Sequence, residues 1–314
     1  MTRVDALSPV VRSWLRQIYA DLPCETHSRR WELPVYFDPA EVARLRTWKA
    51  FDRRRLPLER KYAREVYAQF TAIRTTVTDT MRFAPRALNV ILQITGQEVN
   101  RRIPRVYRDM YLETEREFLK RVSDSVVNKA AQRTKADDEV IDVFQLPELV
   151  AWNDKVLAER IVQVSRYTMD VVKRVVSRAI DVGTGIDLVA MQLEGAFAFS
   201  RTRAERIART EIVGTSNAAN FFGALNFVPD LDTKTWIATR DRRTRRTHRE
   251  AGKTQIDIPY SEPFSVGGSL LMFPGDPTLG AAAKEIIQCR CGVTFSTRPV
   301  SVEEMIEDAR RRRR

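Results

Sequence analysis

The sequence predicts an α+β protein: an elongated, mostly α-helical N-terminal region followed by a small α+β C-terminal domain. Three observations carry this. Of twelve glycines only Gly96 precedes Gly183; glycine weakens helix interiors and supplies turns, so its distribution separates a helical region from a turn-rich one. Apolar residues before Gly183 recur every three or four positions over long windows, the spacing of one helical stripe. Beyond Pro229 the texture becomes strand-like, with turn residues between short runs. The expected organisation is a helical arm or bundle over 1–182, a C-terminal domain over 183–300 and a charged tail over 301–314.

Asp38 and Pro39 suit the N-cap and first turn of a helix running through Glu41, Val42 and Leu45 toward Phe51, and Pro57 is expected to break it. Leu58, Tyr62, Val66, Phe70, Ile73, Val77 and Met81 then form one stripe, a helix of about 25 residues. The pattern returns at Tyr107, Met110, Tyr111, Phe118, Val122 and Val126, and again at Leu157, Ile161, Val164, Val171 and Val175. Asp137-Asp138-Glu139 and Pro147 mark a polar connection between these two. Such stripes are packing surface, and no chemistry is assigned to them. A further helix from Thr202 carries Ala204, Ile207, Ala208, Ile212, Thr215, Ala219 and Phe222 on one side, small enough for close packing. Strand-like composition follows at 233–239, 255–258 and 269–273.

Lys and Arg outnumber Asp and Glu by 53 to 41, a net charge of +12. A surplus of that size favours a polyanionic partner, because a basic surface along phosphates releases counterions. Three cysteines, Cys24, Cys289 and Cys291, are too few and odd in number for a secreted disulfide scaffold, so a reduced, intracellular setting is expected. No signal peptide and no apolar run of membrane-spanning length is found.

Pro274-Gly275 suits the centre of a type II turn, after which Asp276 could cap a short helix beginning at Pro277, with its body at 281–287. Cys289, Cys291 and His248 offer three of the four ligands of a tetrahedral zinc site, with Asp241 or a residue outside the motif as the fourth. The alternative is a pair of buried thiols beside a surface histidine. Cys24 and His27 have ligand-like spacing too, but stand as an isolated pair. Arg240 to Arg249 holds six arginines in ten residues. Arg242, Arg243, Arg245 and Arg246 could track phosphates without reading bases, or form a solvated basic loop. Arg311, Arg312, Arg313 and Arg314 close a tail-like run of like charge that would reach for a polyanion.

In order along the chain stand Ala208-Arg209-Thr210-Glu211, Trp236, Asp241 with Arg243, Thr244, Arg245 and His248, Pro274-Gly275-Asp276, and Cys289-Arg290-Cys291. This succession resembles the phage Mu F-like minor head, or head-morphogenesis, family over roughly Arg201 to Phe295; Arg242 and Arg246 are additions to the family pattern. The resemblance implies that 183–300 is a head-morphogenesis domain of a non-enzymatic, low-copy component of a tailed bacteriophage head. It implies a virion location near the portal vertex and host cytoplasm during assembly. The implied partners are the portal protein, phage DNA bound non-specifically, and scaffold or major capsid protein, with no membrane. The implied role is to aid procapsid assembly and genome packaging or ejection.

Two other functions fit the sequence less well. A metal-dependent nuclease using Asp241, His248 and Asp276 lacks convergent carboxylates or further histidines. An ADP-ribosyltransferase-like effector is prompted by Arg209 and Glu211, but residues two apart do not share a helix face, and no Glu-x-Glu pattern follows.

Overall fold

A computed structural model describes residues 39–120, 122, 146–228, 230–239 and 241–297. Cys24, His27, Asp38, Val126, the 137–139 cluster, Arg240 and the tail arginines 310–314 lie outside these. The chain divides into two units, 1–43 and 44–314. Described residues of the first are only the opening turn of a helix, from Pro39.

That helix, α1 (Pro39–Phe83), runs unbroken through Pro57, contrary to the break expected there. Proline inside a helix costs about 3 kcal/mol. Here it lies on the exposed side, and the opposite stripe from Leu58 to Met81 is buried throughout. Each fully buried side chain of this kind contributes roughly 1.5–3 kcal/mol, so seven of them outweigh the proline. Arg55 adds a staple across it, pairing with Asp52 one turn before and Glu59 one turn after.

Helices α2 (Leu88–Leu119) and α3 (Pro147–Val182) follow. The expected stripe of α2 is buried at Tyr107, Met110, Tyr111 and Phe118. On α3 the buried face is Leu149, Trp152, Val156, Thr168, Val171, Val172, Val176 and Ala179, whereas Leu157, Ile161, Val164 and Val175 are only partly buried. The rotation has a cause: the buried Arg203 guanidinium donates to Thr168 Oγ1 at 3.0 Å and to the Val164 carbonyl at 3.1 Å, so a polar site interrupts the apolar period. Gly183 ends α3 in the left-handed conformation, φ 68°, with Thr184 N–H bonded back to the Ala179 carbonyl at 2.8 Å. This is the usual helix-terminating glycine motif.

After α4 (Ile186–Gly195) and a 3-10 turn at Phe197–Phe199, Ser200 caps α5 (Arg201–Phe227) by accepting from Arg203 N–H at 3.1 Å. Residues 210–221 of α5 are buried without interruption, as in a helix enclosed on all sides. The small residues foreseen there let its neighbours approach.

The strands are β1 (Leu231–Ile237), β2 (Ile258–Pro259), β3 (Phe264–Val266), β4 (Ser269–Leu271) and β5 (Gly292–Thr297). Antiparallel pairing gives a three-stranded sheet in the order β2-β1-β5, with Trp236 opposite Val293 and Lys234 opposite Phe295. β3 and β4 form a separate hairpin closed by Gly267 and Gly268, both at positive φ, as a two-residue hairpin turn requires. Among the described residues two short helices remain, α6 (Arg246–Thr254) and α7 (Ala283–Ile286).

Helical and sheet-bearing halves share one core. Trp152 of α3 lies between Tyr111 of α2, with ring centroids 6.3 Å apart, and Phe273 near the sheet, at 5.7 Å. Phe273 continues into Phe221 of α5, which meets Phe295 of β5. The clustering of contacts places residues 44–314 in one compact unit.

Candidate functional site

The motif residues converge on α5 and on the extended segment between α7 and β5, and each joins different elements. Ala208 is fully buried. Arg209 reaches Glu59 of α1 at 3.3 Å. Thr210 donates to the Arg206 carbonyl and accepts from Gln288 N–H at 3.0 Å. Glu211 accepts from the Tyr111 hydroxyl at 2.7 Å and faces Arg160 at 3.6 Å. Burial pushes the Glu211 carboxyl up, and those two groups oppose it. Arg209, Thr210 and Glu211, consecutive on the helix, thus point in three directions, which a turn of 3.6 residues permits.

Nearly two turns on, Asn217 ties α5 to two loops. Its amide nitrogen lies 3.0 Å from the carbonyls of Val213, Pro274 and Cys291, and its oxygen accepts from Val293 N–H at 3.2 Å. Pro274-Gly275 forms the expected turn: Gly275 has φ 92° and Asp276 N–H bonds to the Phe273 carbonyl at 3.1 Å, the type II pattern. Asp276 differs from expectation. It caps no helix, since 277–282 is turn and loop and α7 starts only at Ala283. Fully buried, it accepts from Trp152 Nε1 at 3.2 Å, Met272 N–H at 3.1 Å and Thr278 N–H at 3.0 Å, as a buried carboxylate must be satisfied.

The Asp241-to-His248 stretch wraps the Cys-Arg-Cys segment. In an extended chain alternate side chains point to opposite sides, and here Arg290 turns one way while both cysteines turn the other. Asp241 takes a two-pronged contact from Arg290, one arm at 2.7 Å, and accepts from Arg243 N–H at 2.9 Å and Thr244 Oγ1 at 3.1 Å. Arg290 holds the Asp241 carboxyl down at about 2. Thr239 Oγ1 donates to the Arg290 carbonyl at 2.8 Å and Thr244 Oγ1 to the Thr239 carbonyl at 2.7 Å. Arg245 turns inward and donates to the Ile287 carbonyl. Arg242, Arg243 and Arg246 are exposed, as is Arg249.

His248 is buried rather than at the surface. The Trp236 ring meets it edge-on at 5.4 Å. Its Nδ1 faces both sulfurs, 3.6 Å from Cys289 and 3.4 Å from Cys291, and its Nε2 lies 3.1 Å from Glu285 Oε2. The bond shared with Cys291, together with burial, pushes the Cys289 thiol up. Against its own burial, Cys291 is drawn down by Cys289 and His248. His248, Cys289 and Cys291 are the residues here that could hold a metal. Asp241 and Asp276, the other candidates weighed, are committed to the partners above.

Glu285 and Asn217 were not singled out from sequence, and Arg290, read only as the middle of the Cys-Arg-Cys motif, was not foreseen as the partner of Asp241. Nor were two adjoining clefts on the α1–α5 side. One, of about 520 Å³, is lined by Arg60, Arg64, Tyr67, Arg201 and Arg209 together with Glu59 and Glu205. The other, of about 250 Å³, shares Leu56, Glu59 and Arg209 with it and extends to Arg243 and Arg290.

Comparison with known proteins agrees with this convergence of motifs: residues 170–294 match the family described as phage Mu protein F like protein. These residues form a Mu protein F-like region. It begins inside α3 and ends within β5, so it contains every motif residue from Arg209 to Cys291 but not Trp152, Tyr111 or Glu59, which hold three of them. The uncharacterized protein YqbB of Bacillus subtilis (strain 168) is 30% identical over 128 residues, 40% of each chain. The chain thus matches well under half the length of that relative. No solved structure matches.

Proposed function

We propose that this protein is a minor head protein of a tailed bacteriophage, a non-enzymatic virion component near the portal vertex that contacts DNA without sequence preference. Its partners are the portal protein and phage DNA, with scaffold or major capsid protein as further neighbours. Its role is to aid procapsid assembly and genome packaging or ejection. The Mu F-like match supports the head-morphogenesis part of this reading; the portal and DNA contacts reach beyond it.

The observation that carries the DNA contact is the arginine-lined pair of clefts. Arg60, Arg64 and Arg201 are exposed there, and Arg243 at the far end has a side chain 77% exposed. Exposed guanidinium groups along a cleft suit phosphate oxygens and carry no base code. Arg245 contributes no such contact, because it is turned to the Ile287 carbonyl.

Titration of the full chain with fluorescent duplexes of several sequences across a salt series tests this. Equal affinities and a steep loss with salt are expected. Arg60→Glu, Arg64→Glu and Arg243→Glu together should reduce the log–log salt slope by about three. A slope unchanged in that variant removes the clefts from the DNA path. Density for this chain away from the portal ring in intact particles removes the portal association.

A further inference from the structure

The buried corner between α6, α7 and β5 has the geometry of a metal centre. Tetrahedral zinc, with bonds of about 2.3 Å to sulfur and about 2.05 Å to nitrogen, sets those donor atoms about 3.6 Å apart. His248 Nδ1 stands at 3.6 and 3.4 Å from the two sulfurs, and the three donor atoms lie within 4.8 Å of one another. A thiol–imidazole hydrogen bond would give similar distances, so the surroundings must discriminate.

Three of them do. Glu285 stands on the far nitrogen of His248, and Thr247 Oγ1 holds the same carboxylate oxygen at 2.8 Å. A carboxylate there fixes the proton on Nε2 and leaves the Nδ1 lone pair facing the sulfurs, the arrangement that orients zinc-bound histidines. Space for that carboxylate is built in: a Cβ on Gly267 would fall 2.5 Å from Glu285 Oε1. Finally, a cavity of about 10 Å³ adjoins the cluster, bounded by Thr239, Arg245 and Gln288 as well as the three donors. It has room for about one water.

We propose that Cys289 Sγ, Cys291 Sγ and His248 Nδ1 bind one zinc ion, with Glu285 orienting the histidine and a single water at the fourth position. Each thiol releases its proton to solvent as its sulfur–zinc bond forms, and no electron is transferred. Two thiolates neutralise the dication, so the centre enters the interior without net charge. It clamps the start of β5 to α6, across which β1 supplies the Trp236 wall.

The full chain, purified in reducing buffer and dialysed against micromolar zinc and then metal-free buffer, should retain about one zinc per chain. Cobalt substitution should give sulfur-to-cobalt charge transfer and the intense visible bands of a tetrahedral site. Cys289→Ser with Cys291→Ser should abolish both signals, and Glu285→Gln should weaken zinc binding about 10–100-fold. Should the double serine variant not fold, the cobalt spectrum of the unaltered protein still decides. Folded, reduced protein that retains no metal overturns the proposal, as does a cobalt spectrum without sulfur bands. So does full zinc retention in a folded double serine variant, which would move the metal elsewhere, Cys24 and His27 included.

Discussion

Gly275 packs against Gly214 so closely that a Cβ on Gly275 would lie 2.8 Å from the Gly214 Cα. The contact is asymmetric, because a Cβ on Gly214 would meet the Gly275 carbonyl, oxygen at 3.4 Å and carbon at 4.0 Å. Gly275→Ala therefore meets both a backbone clash and an unfavourable φ of 92°. A loss of about 2–4 kcal/mol is expected in denaturant unfolding. Gly214→Ala replaces a helical glycine at ordinary contact distance, where alanine's helix preference of about 1 kcal/mol offsets the crowding, and should be close to neutral. Equal losses in the two variants would contradict this reading of the turn.

Asn217 is the second place where a small change should be large. Asn217→Ala strands the Pro274 and Cys291 carbonyls and the Val293 N–H in a buried site, at about 1–3 kcal/mol for each group left unsatisfied. Asn217→Asp retains the shape but has no donor for the carbonyls. Both should lower the unfolding midpoint markedly, and an aspartate variant as stable as the original would show that the donors are dispensable.

Acid should weaken the Asp241–Arg290 pair in a defined window. The folded carboxyl titrates at about 2, below its value in an unfolded chain. Its contribution is therefore complete above about pH 4 and is lost as pH falls toward 2. With the side chain about a quarter exposed, roughly 1–2 kcal/mol is expected after solvent screening. Asp241→Asn should remove that part of the pH dependence; an unaltered acid-unfolding curve would show that the pair adds nothing.

Lys234 acts in a second, higher pH window, and here it is the charged form that folding disfavours. Buried among Phe221, Phe264 and the Met272 carbonyl, its ammonium is disfavoured by desolvation and titrates at about 7. An unfolded chain holds that proton to about pH 10.4. Stability should thus rise with pH between about 7 and 10 through this group, and Lys234→Met should flatten the rise. Identical pH profiles for the two proteins would count against it.

The stripes of α1 and α2 were legible in the sequence because their apolar residues keep one helical period even though polar residues such as Glu59, Thr95 and Thr114 share the buried face. That of α3 was misplaced because its inner face includes Thr168, where the Arg203 guanidinium inserts. Pro57 misled for a related reason, since its cost is local and the packing that exceeds it comes from the far side of the helix. At the site, Cys289, Cys291, His248 and Asp241 were readable as types and spacings. Their supports were not. Asn217 and Glu285 act on groups distant in sequence and belong to no pattern; only the fold reveals them.

Trp152 leans from α3 onto Phe273 and gives its indole N–H to Asp276, yet it lies outside the segment that family comparison recognises. The matched stretch, residues 170–294, is therefore not one that could close upon itself in this chain. Detached before residue 170, it would present an aromatic face and a buried carboxylate to water. The matched stretch is here a partial surface completed by the helices that precede it, and a substitution in those helices is tolerated only where it leaves that seam intact.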